Sequence, residues 1–156
     1  TLDAVKVTGD LVLTNTSERV IVRNGLELTG TVVLDNTGTI TFAGDQTFNR
    51  GQILFAGTSG IFSLEPGTTL TLGPDMVVRG KSGRILASAF GTVKLINQGL
   101  IAVDVPGGTL NIDPTQFENT GTLRADGAGT MMRILTTPFV NTGSIQELNG
   151  GTVVRP

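Results

Sequence analysis

The chain has 156 residues, a length that suits one domain with a substantial buried core. Its 11 basic and 13 acidic residues give a net charge of −2, so it has neither the basic surface that nucleic acid requires nor a polybasic patch for anionic lipid. Histidine and cysteine are both absent, which excludes catalysis or metal binding through imidazole or thiolate.

Short strands are predicted from the N-terminal segment onward. "TITF" at 39–42 and "TLTL" at 69–72 alternate polar and apolar residues, the period-two pattern of a strand with one buried face. Gly, Asn, Asp and Ser, which suit tight turns, separate these segments. Because no stretch places apolar residues at helical spacing, the sequence predicts an all-β protein.

Glycine recurs through the first half of the chain at Gly38, Gly60 and Gly83, with nearly equal steps. An apolar residue follows each of these glycines by two positions. The step from Gly83 to Gly99 is clearly shorter, which predicts either one short turn or a change of register at this point.

The repeat is strictest in the second half, where "LINQGLI", "FENTGTL" and "FVNTGSI" follow one another every 22 residues. "LDNTGTI" at 34–40 has the same pattern. The columns that keep the step are Leu95, Phe117 and Phe139; Asn97, Asn119 and Asn141; Gly99, Gly121 and Gly143; Ile101, Leu123 and Ile145; and Leu110, Met132 and Val154. Several unrelated positions that hold one offset indicate a structural repeat.

A unit of this length with two or three short strands cannot bury its apolar face alone, but stacked copies can. Successive copies then hydrogen-bond at about 4.8 Å, the ordinary spacing between strands. The sequence therefore predicts a single-stranded parallel β-helix, or β-solenoid, of about seven coils of about 22 residues. Residues 1–156 are interpreted as a single β-solenoid domain and as a fragment of a longer chain.

The parity of the repeat predicts which side chains face the interior. Alternation along 95–103 places every second residue, from Leu95 to Val103, on the inward side. The asparagine column is therefore interpreted as an interior ladder that bonds coil to coil, and the glycine two places later as a residue that permits positive φ or a close wall. The column of Val103 and Ala125 ends at Glu147, which predicts a bulge or an end effect there.

The repeats resemble those of a known class of proteins. "LEPGTTLTLGPDMVVRGKSGRI" at 64–85, with the returning "NTGTL" and "NTGSI", resembles the β-helix repeats of large bacterial secreted and surface proteins. These include autotransporter passenger regions and filamentous-haemagglutinin-like adhesins. The resemblance is clearest from Gly38 onward and implies a right-handed coil in a surface-exposed or secreted protein that serves adhesion or acts as a rigid stalk.

Lys81 and Ser82 are the first candidates for a catalytic nucleophile and its base. Adjacent strand residues point to opposite faces and "RGKSGR" is typical of a turn, so a Ser–Lys pair is not expected. "GKS" matches the end of a phosphate-binding loop, but Asp75 stands where the first glycine is required and no helix follows. Arg79, Lys81 and Arg84 are interpreted as solvated turn residues.

A carbohydrate-binding or polysaccharide-degrading β-helix is the alternative that would use carboxylates. Asp104 and Asp126 keep the offset of the repeat, so they could stack on the outer face and bind calcium weakly. The interpretation we prefer is that they are two solvated turn acids. Tyr and Trp, the usual platforms for sugar stacking, are absent.

A flat ice-binding face is the second alternative, because threonines recur at outward positions. The candidates are Thr39, Thr41, Thr69, Thr71, Thr109 and Thr122. Asn111, Arg124 and Arg133 interrupt the array, and Thr is also a common residue of exposed strands.

We therefore expect a structural or adhesive β-solenoid segment of a bacterial extracellular or cell-surface protein, with no enzymatic activity. No catalytic, cofactor-binding or metal-ligating residue and no cofactor are expected. The expected partners are a host surface glycan or matrix component, or neighbouring coils of the same chain, with end-to-end self-association as a further possibility. Neither nucleic acid nor membrane insertion is expected. A secreted or cell-surface location agrees with the absence of cysteine.

Overall fold

The computed structural model describes all of residues 1–156 and consists of strands and turns without a helix. The strands are β1 (Leu2–Val7), β2 (Leu11–Leu13), β3 (Arg19–Leu28), β4 (Thr31–Leu34), β5 (Thr39–Ala43), β6 (Gln46–Phe55), β7 (Gly60–Leu64), β8 (Thr69–Gly80), β9 (Gly83–Ala87), β10 (Lys94–Asn97), β11 (Leu100–Val103), β12 (Thr109–Asp113), β13 (Gln116–Asn119), β14 (Thr122–Asp126), β15 (Met131–Ile134), β16 (Phe139–Asn141), β17 (Ser144–Leu148) and β18 (Thr152–Val154). The strands pair in parallel, which confirms an all-β solenoid of about seven turns of about 22 residues.

Each coil has three sides. One side is sheet 1, in which β1, β3, β5, β7, β9, β12, β15 and β18 stack in that order. The second sheet forms the other two sides because the long strands β6 and β8 run through both. β8 pairs with β10 through residues 69–72 and with β11 through residues 77–78. We call the side of β10, β13 and β16 face 2, and the side of β4, β11, β14 and β17 face 3.

The strand register confirms most of the predicted columns. Leu95 pairs with Phe117, which pairs with Phe139, and the asparagine and isoleucine–leucine columns keep the same step. The predicted partner of Met132 at the C-terminal end is wrong, because Met132 pairs with Val153 and not with Val154. The last step is therefore one position shorter than the repeat predicts, and Val153 is the buried member of the pair.

The irregular step after Gly83 is a change of register, not a short turn. Gly83 pairs with Gly60 and Leu110 in sheet 1, whereas Gly99 lies at the corner between β10 and β11 on the opposite side of the coil. The coil is in fact longer than average there, since Arg84 pairs with Asn111, well beyond the usual step of the repeat. The extra residues form an outward loop at 88–92.

One hydrophobic core of 30 buried residues runs through the coils from Leu13 to Val153. Phenylalanine rings of neighbouring coils are in contact: Phe42 and Phe62 are tilted, with centroids 5.4 Å apart, and Phe117 stacks on the partly buried Phe139 at 5.3 Å. Inward apolar residues of one coil therefore pack on those of the next, as the repeat predicts.

The early copy of the repeat motif, "LDNTGTI", lies at a different corner from the later ones. Leu34 ends β4, and Asn36 and Thr37 form the exposed turn into sheet 1 with φ of 45° and 65°. Asn36 is therefore a left-handed turn residue, whereas Asn97 and Asn119 are interior residues between faces 2 and 3. The same sequence motif therefore lies at two different corners of the coil.

Candidate functional site

The asparagine ladder is an interior structural feature. Asn97 and Asn119 are fully buried, as the parity predicted. Asn97 Nδ2 donates to Asn119 Oδ1 at 2.7 Å, and Asn119 Nδ2 donates to Asn141 Oδ1 at the same distance. Each amide also donates to the carbonyl of the glycine two positions later in its own coil. The ladder thus stabilises the corner and joins successive coils, and its buried members Asn97 and Asn119 are inaccessible to a ligand.

The glycines of this motif are required by close approach and not by positive φ. None of Gly99, Gly121 and Gly143 has φ in the left-handed region. A Cβ atom at Gly121 would overlap the carbonyl oxygen of Gly99, and one at Gly143 would overlap that of Gly121. Of the two expected roles, positive φ and close packing against a neighbouring backbone, these glycines have the second.

The predicted pair of solvated carboxylates is wrong for Asp104. Its side chain is only 10% exposed, and its Oδ2 lies 2.8 Å from Arg79 Nε. Asp126 accepts a hydrogen bond from Asn149 Nδ2 at 2.7 Å. Both acids are engaged by neighbouring side chains, and no group of three or more acidic residues has the geometry to hold a metal ion.

The basic cluster at 79–84 is not a single turn. Arg79 belongs to β8 and pairs with Asp104, and Arg84 belongs to β9 in sheet 1. Only Lys81 and Ser82 lie in the turn, where Ser82 Oγ accepts a hydrogen bond from the Thr109 backbone N–H at 2.9 Å. The expectation that Lys81 and Ser82 sit in a turn is confirmed.

The threonines proposed for a flat face do not share one. Sheet 1 contains Thr39, Thr41 and Thr109, whereas Thr69 and Thr71 lie on face 2 and Thr122 lies on face 3. Thr41 is fully buried, and its hydroxyl is 2.8 Å from that of Ser63 in the next coil. The expected outward position of Thr41 is therefore wrong.

A concave surface of about 750 Å³ lies beside β1, β3 and β6. Its charges are compensated, because Lys6 pairs with Glu27 at 3.3 Å and Arg50 lies 3.9 Å from Asp75. This surface therefore presents no net charge to a ligand.

A second groove, of about 420 Å³, follows the corner where face 3 turns into sheet 1. Thr37, Thr58, Ser59, Ile61, Ser82, Gly83, Arg84, Thr109 and Asn111 line it. Four successive coils have a hydroxyl residue at the equivalent position, at most two residues before the sheet 1 strand or at its first residue: Thr37, Ser59, Ser82 and Thr109. We call these four residues the hydroxyl file.

A second line of polar residues runs parallel to the hydroxyl file, two positions further along each strand. Arg84 pairs with Asn111, and Asn111 with Arg133, so the three are neighbours on the outer side of sheet 1. We call them the arginine file. Both arginines are exposed and neither forms an ion pair, while Asn111 Oδ1 is buried without a hydrogen-bond partner.

Sequence reasoning missed this groove, because it treated Asn111 and Arg133 only as interruptions of a threonine array. The spacing of Asn111 and Arg133, which equals the step of the repeat, was a usable signal. The link from Arg84 to Asn111 was hidden by the long coil, in which the step exceeds that of the repeat.

The turn at 15–18 holds the carboxyl group of Glu18. The Asn15 side chain, followed by the Asn15 backbone N–H, donates hydrogen bonds that lower the pKa of Glu18. These contacts close the turn at 15–18, and Glu18 does not line either groove.

No helix long and apolar enough to cross a bilayer is present. Comparison with family models, curated proteins and solved structures finds no match to this chain.

Proposed function

We propose that the chain is a structural and adhesive β-solenoid segment of a bacterial extracellular or cell-surface protein, in which it acts as a rigid scaffold. The observation that carries this proposal is the single core of 30 buried residues, which passes from coil to coil without interruption. Parallel strand pairing joins successive coils along sheet 1 and along the second sheet, so bending would strain many hydrogen bonds at once.

The bacterial surface origin is supported by the repeats quoted above, which resemble those of autotransporter passengers and filamentous-haemagglutinin-like adhesins. Cysteine-free composition is compatible with an oxidising exterior. An enzymatic role is not part of the proposal.

The location can be tested by labelling intact cells that produce the natural protein with an amine reagent that does not cross membranes. Lys6, whose side chain is 63% exposed, should be labelled on intact cells to the same extent as on lysed cells. A cytoplasmic protein serves as the internal control and should be labelled only after lysis. Labelling of Lys6 that requires lysis would contradict a surface location.

A further inference from the structure

The corner groove and the arginine file form one continuous polar surface on sheet 1. We propose that this surface binds an extended acidic polysaccharide, a glycan that carries carboxylate or sulfate groups along its length. The inference deepens the adhesive part of the proposed function and rests on it.

Charge distinguishes this surface from the rest of the molecule. Six of the 11 basic residues form ion pairs, namely Lys6, Arg23, Arg50, Arg79, Lys94 and Arg124. Arg84 and Arg133 form none, and Lys81 in the adjoining turn is also without a carboxylate partner. Two acids without an ion pair lie beside these three cations: Asp113 at the far end of β12, and Asp35, which accepts a hydrogen bond from the backbone N–H of the groove residue Thr58. The net charge of this surface is therefore positive in a chain whose total is −2.

Asn111 supplies an independent sign of a missing partner. Its Oδ1 is buried and accepts no hydrogen bond, although buried polar atoms are nearly always paired. Asn111 lies between the two arginines and lines the groove. Rotation of the Asn111 side chain toward the groove would let this oxygen accept a hydrogen bond from a ligand hydroxyl, while the ligand's acidic groups would reach the guanidinium groups on either side.

The geometry favours an elongated ligand that runs along the solenoid axis. Neighbouring parallel strands are about 4.8 Å apart, and Arg84 and Arg133 are two strands apart. Their Cα atoms are therefore separated by about 9.6 Å. The hydroxyl file extends the surface over four coils and offers groups that both donate and accept hydrogen bonds. A strand backbone fixed by pairing on both sides holds these groups in place before the ligand arrives, which reduces the entropic cost of binding.

The same surface is unsuited to single-stranded nucleic acid. Binding of that kind uses aromatic side chains on which bases stack, and no aromatic residue lines the groove. Sugars need no such platform where guanidinium, amide and hydroxyl groups contact their acidic groups and hydroxyls directly.

The test is isothermal titration calorimetry of the purified chain at physiological salt. The probes are oligogalacturonate, which carries carboxylates, a sulfated dextran oligosaccharide, and neutral dextran of the same length. We expect binding of at least one acidic probe and none of neutral dextran. The stronger acidic probe identifies the charged group. The absence of binding to both acidic probes by the folded chain would overturn the proposal.

Charge-matched variants locate the site. Arg84→Gln and Arg133→Gln should each weaken binding by about tenfold or more, because a charge-assisted hydrogen bond is lost. Arg50→Gln removes the same charge from an exposed position at the other groove and should change affinity less than about twofold. Equal losses in Arg84→Gln and Arg50→Gln would overturn the assignment, as would equally tight binding of single-stranded DNA of the same charge.

Asn111→Leu separates recognition from folding. It removes an unpaired buried oxygen, so the melting temperature should not fall, yet affinity for the acidic probe should drop. Unchanged affinity would show that Asn111 makes no ligand contact and would overturn the geometry proposed here. Surface labelling of Lys6 does not depend on any glycan, so failure of this inference is distinguishable from failure of the proposed function.

Discussion

At the residue scale, one asparagine in each C-terminal coil connects the corner with the stack. Asn119 accepts from Asn97 through Oδ1 and donates through Nδ2 to Gly121 and Asn141. Its buried amide is thereby well satisfied, which is the condition under which buried polar groups stabilise a fold. The ladder has a defined start, because Asn97 pairs with Leu72 in the coil before it and its own Oδ1 has no partner.

Asn119→Leu should therefore destabilise the protein by about 1–3 kcal/mol, because it leaves neighbouring amide groups without partners in the interior. Equilibrium urea denaturation followed by circular dichroism gives the free energy of unfolding. An unchanged free energy of unfolding would show that the ladder does not contribute to stability.

Asn97→Leu is the matched control at the start of the ladder. It loses the donor to Asn119 but also removes the unpaired Oδ1 of Asn97 and places leucine over Leu72. Asn97→Leu should therefore lower the free energy of unfolding by less than Asn119→Leu does. The reverse order would mean that packing volume, and not hydrogen bonding, decides the stability of this corner.

At the element scale, the strands stay in register apart from shifts at 3–5 and 48–50, whereas corner lengths vary throughout. Along sheet 1 the step between paired residues is short from Arg19 to Thr39 and long from Arg84 to Asn111. The difference is absorbed by turns, where extra residues project into solvent without disturbing strand pairing. Lengthening a loop costs little additional closure entropy, which explains why the stack accommodates a long coil.

The contrast between aligned strands and variable corners explains which features could be predicted from the sequence. The columns from Leu95 to Ile145 were predictable because parity and spacing both survive in coils of equal length. The register around Gly83 was not, since an insertion shifts spacing without altering the local strand pattern. The groove was not predictable either, because its residues converge only when strands separated by that insertion are aligned.

The outward loop at 88–92 predicts a contrast between two phenylalanines. Phe90 is fully exposed, whereas Phe62 is fully buried against Phe42. Phe90→Ser should change the free energy of unfolding by less than about 0.5 kcal/mol, as is usual for surface substitutions. Phe62→Ala should cost about 3–5 kcal/mol through lost burial and the cavity left behind. Urea denaturation measures both, and comparable losses would place Phe90 in a packed environment.

At the scale of the whole molecule, the coils interact mainly with their nearest neighbours, so stability should vary along the axis. The central strands of sheet 1 pair on both sides, whereas β18 pairs with β15 alone, and β16 and β17 likewise have one neighbour each. The fold class and the number of coils followed from the repeat, but the end effect at Glu147 could not be distinguished from a bulge. The register from β14 to β17 is unbroken, so it is an end effect.

Glu147 occupies a core column in the last coil without being buried there. Its column partners Val103 and Ala125 are fully buried, whereas Glu147 is exposed. Glu147 Oε1 accepts a hydrogen bond from the Val153 backbone N–H at 2.6 Å, and this contact joins β17 to β18. A charged residue is tolerated at this position because the column ends here and one side of the coil is open to water.

Glu147→Ala should loosen the last coil and leave the others unchanged. Loss of one partly exposed hydrogen bond should speed hydrogen exchange of the amides in β17 and β18 by about threefold to tenfold. Amides of β5, β7 and β9 should keep their wild-type rates, because they are several coils away and pair on both sides. Glu27→Ala, which removes an exposed acid at the opposite end, is the control and should not affect β17 or β18. Faster exchange throughout the chain would mean that the solenoid opens as one unit, and unchanged exchange in β18 would mean that the contact does not hold the end closed.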